Sequence, residues 1–324
     1  MRIDASSGKA PSRSVIASSI ALLIALWAIN FIAGKIGLQY LPPLALASFR
    51  VVLAGIIMVP VYLMCLRLPT FAETAKFKQQ RLTAHDLWAL AYLGFFGVVT
   101  NQMGFTIGLA YTMVGHSAVI VGLGPIYILV LAILFRLERA TWHKVTGMTI
   151  ALLGIAVLAS ENGFSVHSAS LAGDVITLTG SIGFAIYVVL GKRVAQKYDA
   201  LTMTAFNHFA GGLMVLPLAI HQATILGGPG LLNRLPWQAW SALLYMVIFA
   251  SALAYVLYFW LLRYLEASQL AAFAYLLPIS ATILGILWLG EKGSWRQVLG
   301  GALALGGVYW IESGRDAAKN SAGP

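Results

Sequence analysis

The chain has 324 residues, 60% of them hydrophobic and 10% charged, with a mean hydropathy of +0.84. That much apolar surface exceeds what one soluble core buries, which excludes an ordinary water-soluble globule and makes lipid the solvent. The net charge of +10 would suggest nucleic acid in a soluble protein, but here the basic residues fall between apolar runs, where they orient spans, so no nucleic-acid partner is read from it.

Residues 1–14 form a tail carrying Arg2, Lys9 and Arg13 ahead of a long apolar run without a small-residue cleavage site, so the first run is read as a retained helix rather than a signal peptide. Apolar runs follow at 15–33, 44–66, 87–110, 114–135, 144–160, 172–191, 201–220, 239–262, 267–289 and 295–311. Each is near the ~20 residues that a helix needs to cross the hydrocarbon layer, so the expected fold is an all-α integral membrane protein of ten transmembrane helices. Residues 312–324 form a second tail. Cys65, the single cysteine, lies in an apolar run and can form neither an internal disulfide nor a cysteine metal cluster. Assigning alternate connections to opposite sides puts about 16 Lys and Arg with the N-terminus and about 4 on the other side. Both termini are therefore expected in the cytoplasm, in a multi-pass protein of the cell (inner) membrane.

The chain repeats itself. A shift of 153 residues lays Pro125, Glu138, Trp142, Gly147 and Gly154 onto Pro278, Glu291, Trp295, Gly300 and Gly307 without a gap. A shift of 157 lays Gly34, Lys35, Gly55 and Pro60 onto Gly191, Lys192, Gly212 and Pro217. Chance apolar similarity would not hold Pro, Glu, Trp and Gly in register, so two halves are expected, at 15–160 and 172–311. Five spans per half is an odd number, so the second half enters the membrane upside down. Such 5+5 inverted repeats about an axis in the membrane plane are typical of secondary transporters.

With these features the chain resembles the EamA family within the drug/metabolite transporter superfamily. The matching stretches are Trp27 to Phe31 with Lys35, Pro42-Pro43 ahead of Arg50, Pro125 followed by Phe135 to Arg139, and Pro278 followed by Leu289-Gly290-Glu291-Lys292. The first copy reads Arg136-Leu137-Glu138 where the family usually has Leu-Gly-Glu. The resemblance implies alternating access without ATP by an exporter of amino acids or other metabolites. It also implies that spans one, three, four, six, eight and nine surround the cavity.

Several polar residues stand at membrane depth, where an unpaired polar group is costly and a functional role is the default. Arg50 lies inside the second span; it either reaches the outer headgroups or reads a substrate carboxylate. Its repeat partner is Asn207, followed by His208. Trp27 and Asn30 share a helical face. Asn101 and Gln102 follow in the third span, where Gly104 and Gly108 offer a close-approach surface. His116 and Tyr127 share a face near Pro125, Tyr275 sits beside Pro278, and the eighth span carries Tyr255, Tyr258 and Trp260. The substrate-binding candidates are thus Trp27, Asn30, Arg50, Asn101, Gln102, Tyr127, His208, Tyr255, Tyr258 and Tyr275. Pro125 and Pro278 are candidate kinks, and Glu138 and Glu291 are helix-capping or gating carboxylates at equivalent turns. The expected partners are a small-molecule substrate and the lipid bilayer. No metal or cofactor is expected, since the six His are scattered and no HExxH, GxSxG or P-loop pattern occurs. A membrane-embedded enzyme would need such a constellation, and a non-transporting scaffold or sensor is the remaining alternative.

Overall fold

The computed structural model describes residues 11–67, 83–111, 117, 120–159, 168–230, 234–277, 279–280 and 295–321, and among these it is helical with short connections. Pro278, Glu291 and His116 lie outside the described residues. The elements in chain order are α1 (Arg13–Tyr40), α2 (Pro43–Arg67), α3 (Ala84–Tyr111), α4 (Gly124–Leu134) and α5 (Trp142–Ala159). They continue with α6 (Ser168–Ala195), α7 (Ala200–Ile225), α8 (Trp237–Leu262), α9 (Ala267–Ala272) and α10 (Trp295–Ser321). Six of them, α1, α2, α3, α6, α7 and α8, contain stretches long and apolar enough to cross a membrane, and Ile120–Leu134 and Val298–Ile311 are shorter apolar helices.

Apolar side chains lie on both sides of these helices. Leu46, Ile128 and Tyr187 are buried inside, while Ile56, Leu63, Met64 and Leu213 point outward, as expected where lipid surrounds the bundle. Trp88, Trp142, Trp237 and Trp295 stand exposed near the first turns of α3, α5, α8 and α10, the places where an indole bridges headgroup and hydrocarbon.

Glycines set the closest helix crossings. A Cβ on Gly55 of α2 would meet the His208 carbonyl of α7 at 2.6 Å, and Gly212 faces Gly55. Gly147 of α5 lies against Gly307 of α10, and Gly154 against Gly300. A Cβ on Gly212 would also reach the Val51 carbonyl at 3.5 Å, so in both pairs rising numbers on one helix meet falling numbers on the other, and α2 and α7 run antiparallel, as do α5 and α10. The partners also exchange under the sequence shift: Gly147 and Gly154 correspond to Gly300 and Gly307, and each touches the counterpart of the other. Gly104 packs on Gly180, and Gly108 on Thr177 and Gly173, so the close-approach surface of α3 is spent on α6.

The same correspondence explains two lysines. Lys35 donates to the Leu109 carbonyl at 3.0 Å, near the end of α3. Lys192, its equivalent, donates to the Leu265 carbonyl just beyond α8. Each donates to a backbone carbonyl near a helix end, where lysine complements the negative pole of the helix. α1 is consequently longer than the hydropathy of 15–33 predicts, because Lys35 sits within the helix rather than in the following loop.

α3 and α8 also share a departure from regular geometry, a π-helical segment at Phe95–Met103 and at Met246–Leu253. A π turn widens a helix and re-phases the side chains after it, and such segments concentrate at functional sites. α4 ends in a Schellman turn, with Leu137 N–H donating to Ala132 at 2.8 Å and Arg136 N–H to Ile133 at 2.9 Å. Arg136 occupies its left-handed position at φ 56°, where a non-glycine residue costs ~1 kcal/mol.

Candidate functional site

A cavity of about 110 Å³ lies between α1, α3, α4, α6, α8 and the α9 segment, with α2 contributing Arg50. Trp27, Asn30, Arg50, Asn101, Gln102, Tyr255 and Tyr258 line it, as does Pro125. His208 stands one contact behind, bonded to Gln102. Tyr127 is half-buried against the main core, and Tyr275 is buried with Leu129, Met148 and Ile311 between α4, α5 and α10; neither lines the cavity.

The wall is built of two chemistries. On one side Trp27, Phe184, Tyr255 and Tyr258 form a box of rings, with centroids 5.4–6.4 Å apart, a spacing favourable for edge-to-face aromatic contact. On the other side runs a buried hydrogen-bond chain that begins at the guanidinium. Arg50 Nε donates to Ser251 Oγ at 3.0 Å, and Ser251 donates to Gln102 Oε1 at 2.9 Å. Gln102 Nε2 lies 3.2 Å from His208 Nε2, and His208 Nδ1 lies 2.9 Å from the Thr204 carbonyl. A carbonyl only accepts, so Nδ1 carries the proton, Nε2 accepts from the Gln102 amide, and the imidazole is neutral. The direction of every bond in the chain is thereby determined, and each group spends its polarity on the next.

Arg50 is 3% exposed, so it does not snorkel to the headgroups. Its hydrogen-bond partners among the described residues are neutral, Ser251 and, at 3.5 Å, Thr106. Among the described residues it has no carboxylate partner. A buried cation whose hydrogen-bond partners among the described residues are hydroxyls carries a charge at the cavity wall that these partners do not neutralise. Asn101 donates to the Gly180 carbonyl at 3.2 Å and accepts from Tyr255 at 2.9 Å, and the Tyr255 hydroxyl also lies 3.0 Å from the Gly97 carbonyl within the π segment of α3. Among the described residues two groups in the wall have no hydrogen-bond partner: Asn30 Oδ1, on a residue 6% exposed, and the Tyr258 hydroxyl, on one 2% exposed. An unsatisfied buried polar atom is rare in a native protein and calls for an explanation such as a ligand or water.

Reasoning from sequence missed Ser251, Thr106 and Phe184. A lone Ser or Thr in an apolar run is ordinary, because its hydroxyl can bond its own helix, so no signal marks it. Asn207, the repeat partner of Arg50, donates to the Tyr187 hydroxyl at 3.2 Å and lies away from the cavity.

Glu138 lies at the end of the bundle where α1 begins. Its carboxylate accepts from the backbone N–H of Ala267 at 2.9 Å and of Ser268 at 3.3 Å, and from the Ser268 hydroxyl. It thus caps α9 rather than the helix that follows it, and its cation is Lys144, 2.9 Å away, rather than Arg139. Lys144 also meets Glu266 at 2.5 Å. Burial opposes ionisation of Glu138, but the bonds from Ser268 and Lys144 outweigh it and hold the carboxyl below its ordinary range. At the same end, Lys197 bonds Asp86 in the capping box of α3 at 2.6 Å.

Comparison with known proteins bears on this arrangement. A model of the EamA-like transporter family matches the chain twice, over residues 15–160 and 171–313. A protein of Archaeoglobus fulgidus named as an uncharacterized transporter is 29% identical over 90% of this chain and 96% of its own. A probable terminal-alkyne amino-acid exporter of Streptantibioticus cattleyicolor is 24% identical over 90% of this chain and 92% of its own. One solved crystal structure superposes with a TM-score of 0.70 at 18% identity, over 92% of this chain and 96% of that one, and so has the same fold.

Proposed function

Because this chain belongs to the EamA-like transporter family of the drug/metabolite transporter superfamily, we propose that it is a secondary exporter of small carboxylate-bearing metabolites, amino acids among them, working by alternating access. The observation that carries the substrate class is the buried Arg50 guanidinium at the cavity wall, whose partners among the described residues are neutral. A substrate carboxylate supplies the missing counter-charge, the ring box takes an apolar body, and Asn30 Oδ1 accepts a substrate N–H. The amino-acid exporter among its relatives agrees with that class.

Ten spans in two inverted halves, at 15–160 and 172–311, flank the cavity, with tails at 1–14 and 312–324. This reading is supported by the twofold family match and by the reciprocal antiparallel glycine contacts. Both termini are cytoplasmic, in the inner membrane, on the basic asymmetry of the connections. Alternating access then moves one half against the other around a fixed site near mid-membrane.

Flux into proteoliposomes tests the assignment. Arg50→Gln lowers transport of carboxylate substrates by more than tenfold, the equivalent of ~1.4 kcal/mol, and of neutral analogues by less. Asn101→Leu lowers both with little loss of folded protein. Normal flux in both variants at wild-type protein levels would refute the site while leaving the protein a transporter.

A further inference from the structure

A second cavity, of about 970 Å³, lies beyond the Glu138 cluster at the end of the bundle where α1 begins. Its Lys and Arg residues are Arg136, Arg139, Lys144, Lys192 and Arg263, and its carboxylates are Glu138 and Glu266. Both carboxylates are already engaged: Glu138 by Lys144 and the start of α9, Glu266 by Lys144. Arg136, Arg139 and Arg263 are exposed, and among the described residues none has a carboxylate partner. His143 and Tyr264 are the other titratable groups in the wall. A basic excess at one membrane face accounts for the number of such residues, not for their convergence on one concavity. Arg136 adds a separate sign: it holds a left-handed backbone position that glycine would fill without strain.

We propose that this cavity is an oxyanion-binding antechamber, taking a small carboxylate or phosphate compound on Arg136, Arg139 and Arg263 while the Glu138 clasp separates it from the central site. Planar guanidinium forks match such oxyanions, and a concave wall with an excess of positive charge concentrates them from solution. The assignment rests on the charges at this mouth and stands whether or not Arg50 reads a carboxylate.

The test uses full-length protein in neutral detergent with inorganic phosphate as the probe. Phosphate is expected to raise the thermal midpoint above that in sodium chloride of equal ionic strength, in the wild type and equally in Arg50→Gln. In the triple variant Arg136→Gly, Arg139→Gln, Arg263→Gln the apparent affinity falls at least tenfold, while the midpoint in chloride is unchanged or higher. Nanodiscs of phosphatidylcholine with and without phosphatidylglycerol identify the source. If phosphatidylglycerol removes the phosphate effect through the same three arginines, the oxyanion is a lipid headgroup; if the effect persists, it is a soluble compound. No rise over chloride, an equal rise in the triple variant, or loss of the rise in Arg50→Gln alone overturns the proposal.

Discussion

Two glycines that correspond under the internal repeat are expected to respond differently to the same substitution. A Cβ on Gly55 would lie 2.6 Å from the His208 carbonyl oxygen, a backbone atom, where ordinary contact begins at 3.4 Å. Gly55→Ala must therefore separate α2 from α7 by several tenths of an ångström, an overpacking that costs ~1–3 kcal/mol. Replacing a mid-helix glycine by alanine returns ~0.8–1 kcal/mol of helix propensity, so the net loss is up to about 2 kcal/mol. On Gly212 the nearest atom to an added Cβ is 3.4 Å away, so Gly212→Ala keeps the propensity gain and is neutral or stabilising. At ~2–4 °C per kcal/mol, thermal unfolding in detergent separates the two variants by several degrees, with Gly55→Ala the lower. Because the displaced carbonyl belongs to His208, whose ring bonds Gln102, Gly55→Ala also lowers flux. Equal midpoints, or a lower midpoint for Gly212→Ala, would refute the crossing geometry.

Glu138→Gln is expected to destabilise the protein by ~1–3 kcal/mol at neutral pH, since it removes charge-assisted bonds to Ser268 and Lys144. The folded-state carboxyl is held below its ordinary range, so its contribution is present above the ordinary carboxylate pKa and is lost only as pH falls through the depressed value. Wild type and variant should then differ from about pH 5 to 8 and converge toward the acid end; a gap unchanged in acid would count against the clasp. Tyr258→Phe should leave stability unchanged or slightly raised, because the hydroxyl it removes has no partner among the described residues, while weakening substrate stabilisation of the purified protein. A midpoint lowered by several degrees would mean that the hydroxyl is structurally bonded. In a Cys65→Ser background, Tyr40→Cys should react with an impermeant maleimide from outside the cell and Arg139→Cys should not; the reverse labelling would invert the topology.

Composition alone determined that lipid is the solvent, because no core of 324 residues can hide 60% hydrophobic side chains. The repeat was legible for a related reason: Pro, Glu, Trp and Gly kept at fixed offsets mark backbone and capping positions that generic apolar residues cannot serve. Gly147, Gly154, Gly300 and Gly307 stood out in the sequence and prove to be one reciprocal contact. Asn30, Asn101 and Gln102, singled out because polar groups at membrane depth need partners, line the cavity. Which partners they take depended on the tertiary structure. Arg50 had two sequence-compatible destinations, headgroup or interior, and packing against Ser251 and Thr106 chose the interior. Glu138 was recognisable as a cap, but the helix it caps starts 129 residues later, at Ala267. The neutral tautomer of His208 follows from a carbonyl four residues back and an amide 106 residues away. Hydropathy reports whether a residue prefers lipid or water; it does not report which distant atoms meet, because that is settled only when the helices close on one another.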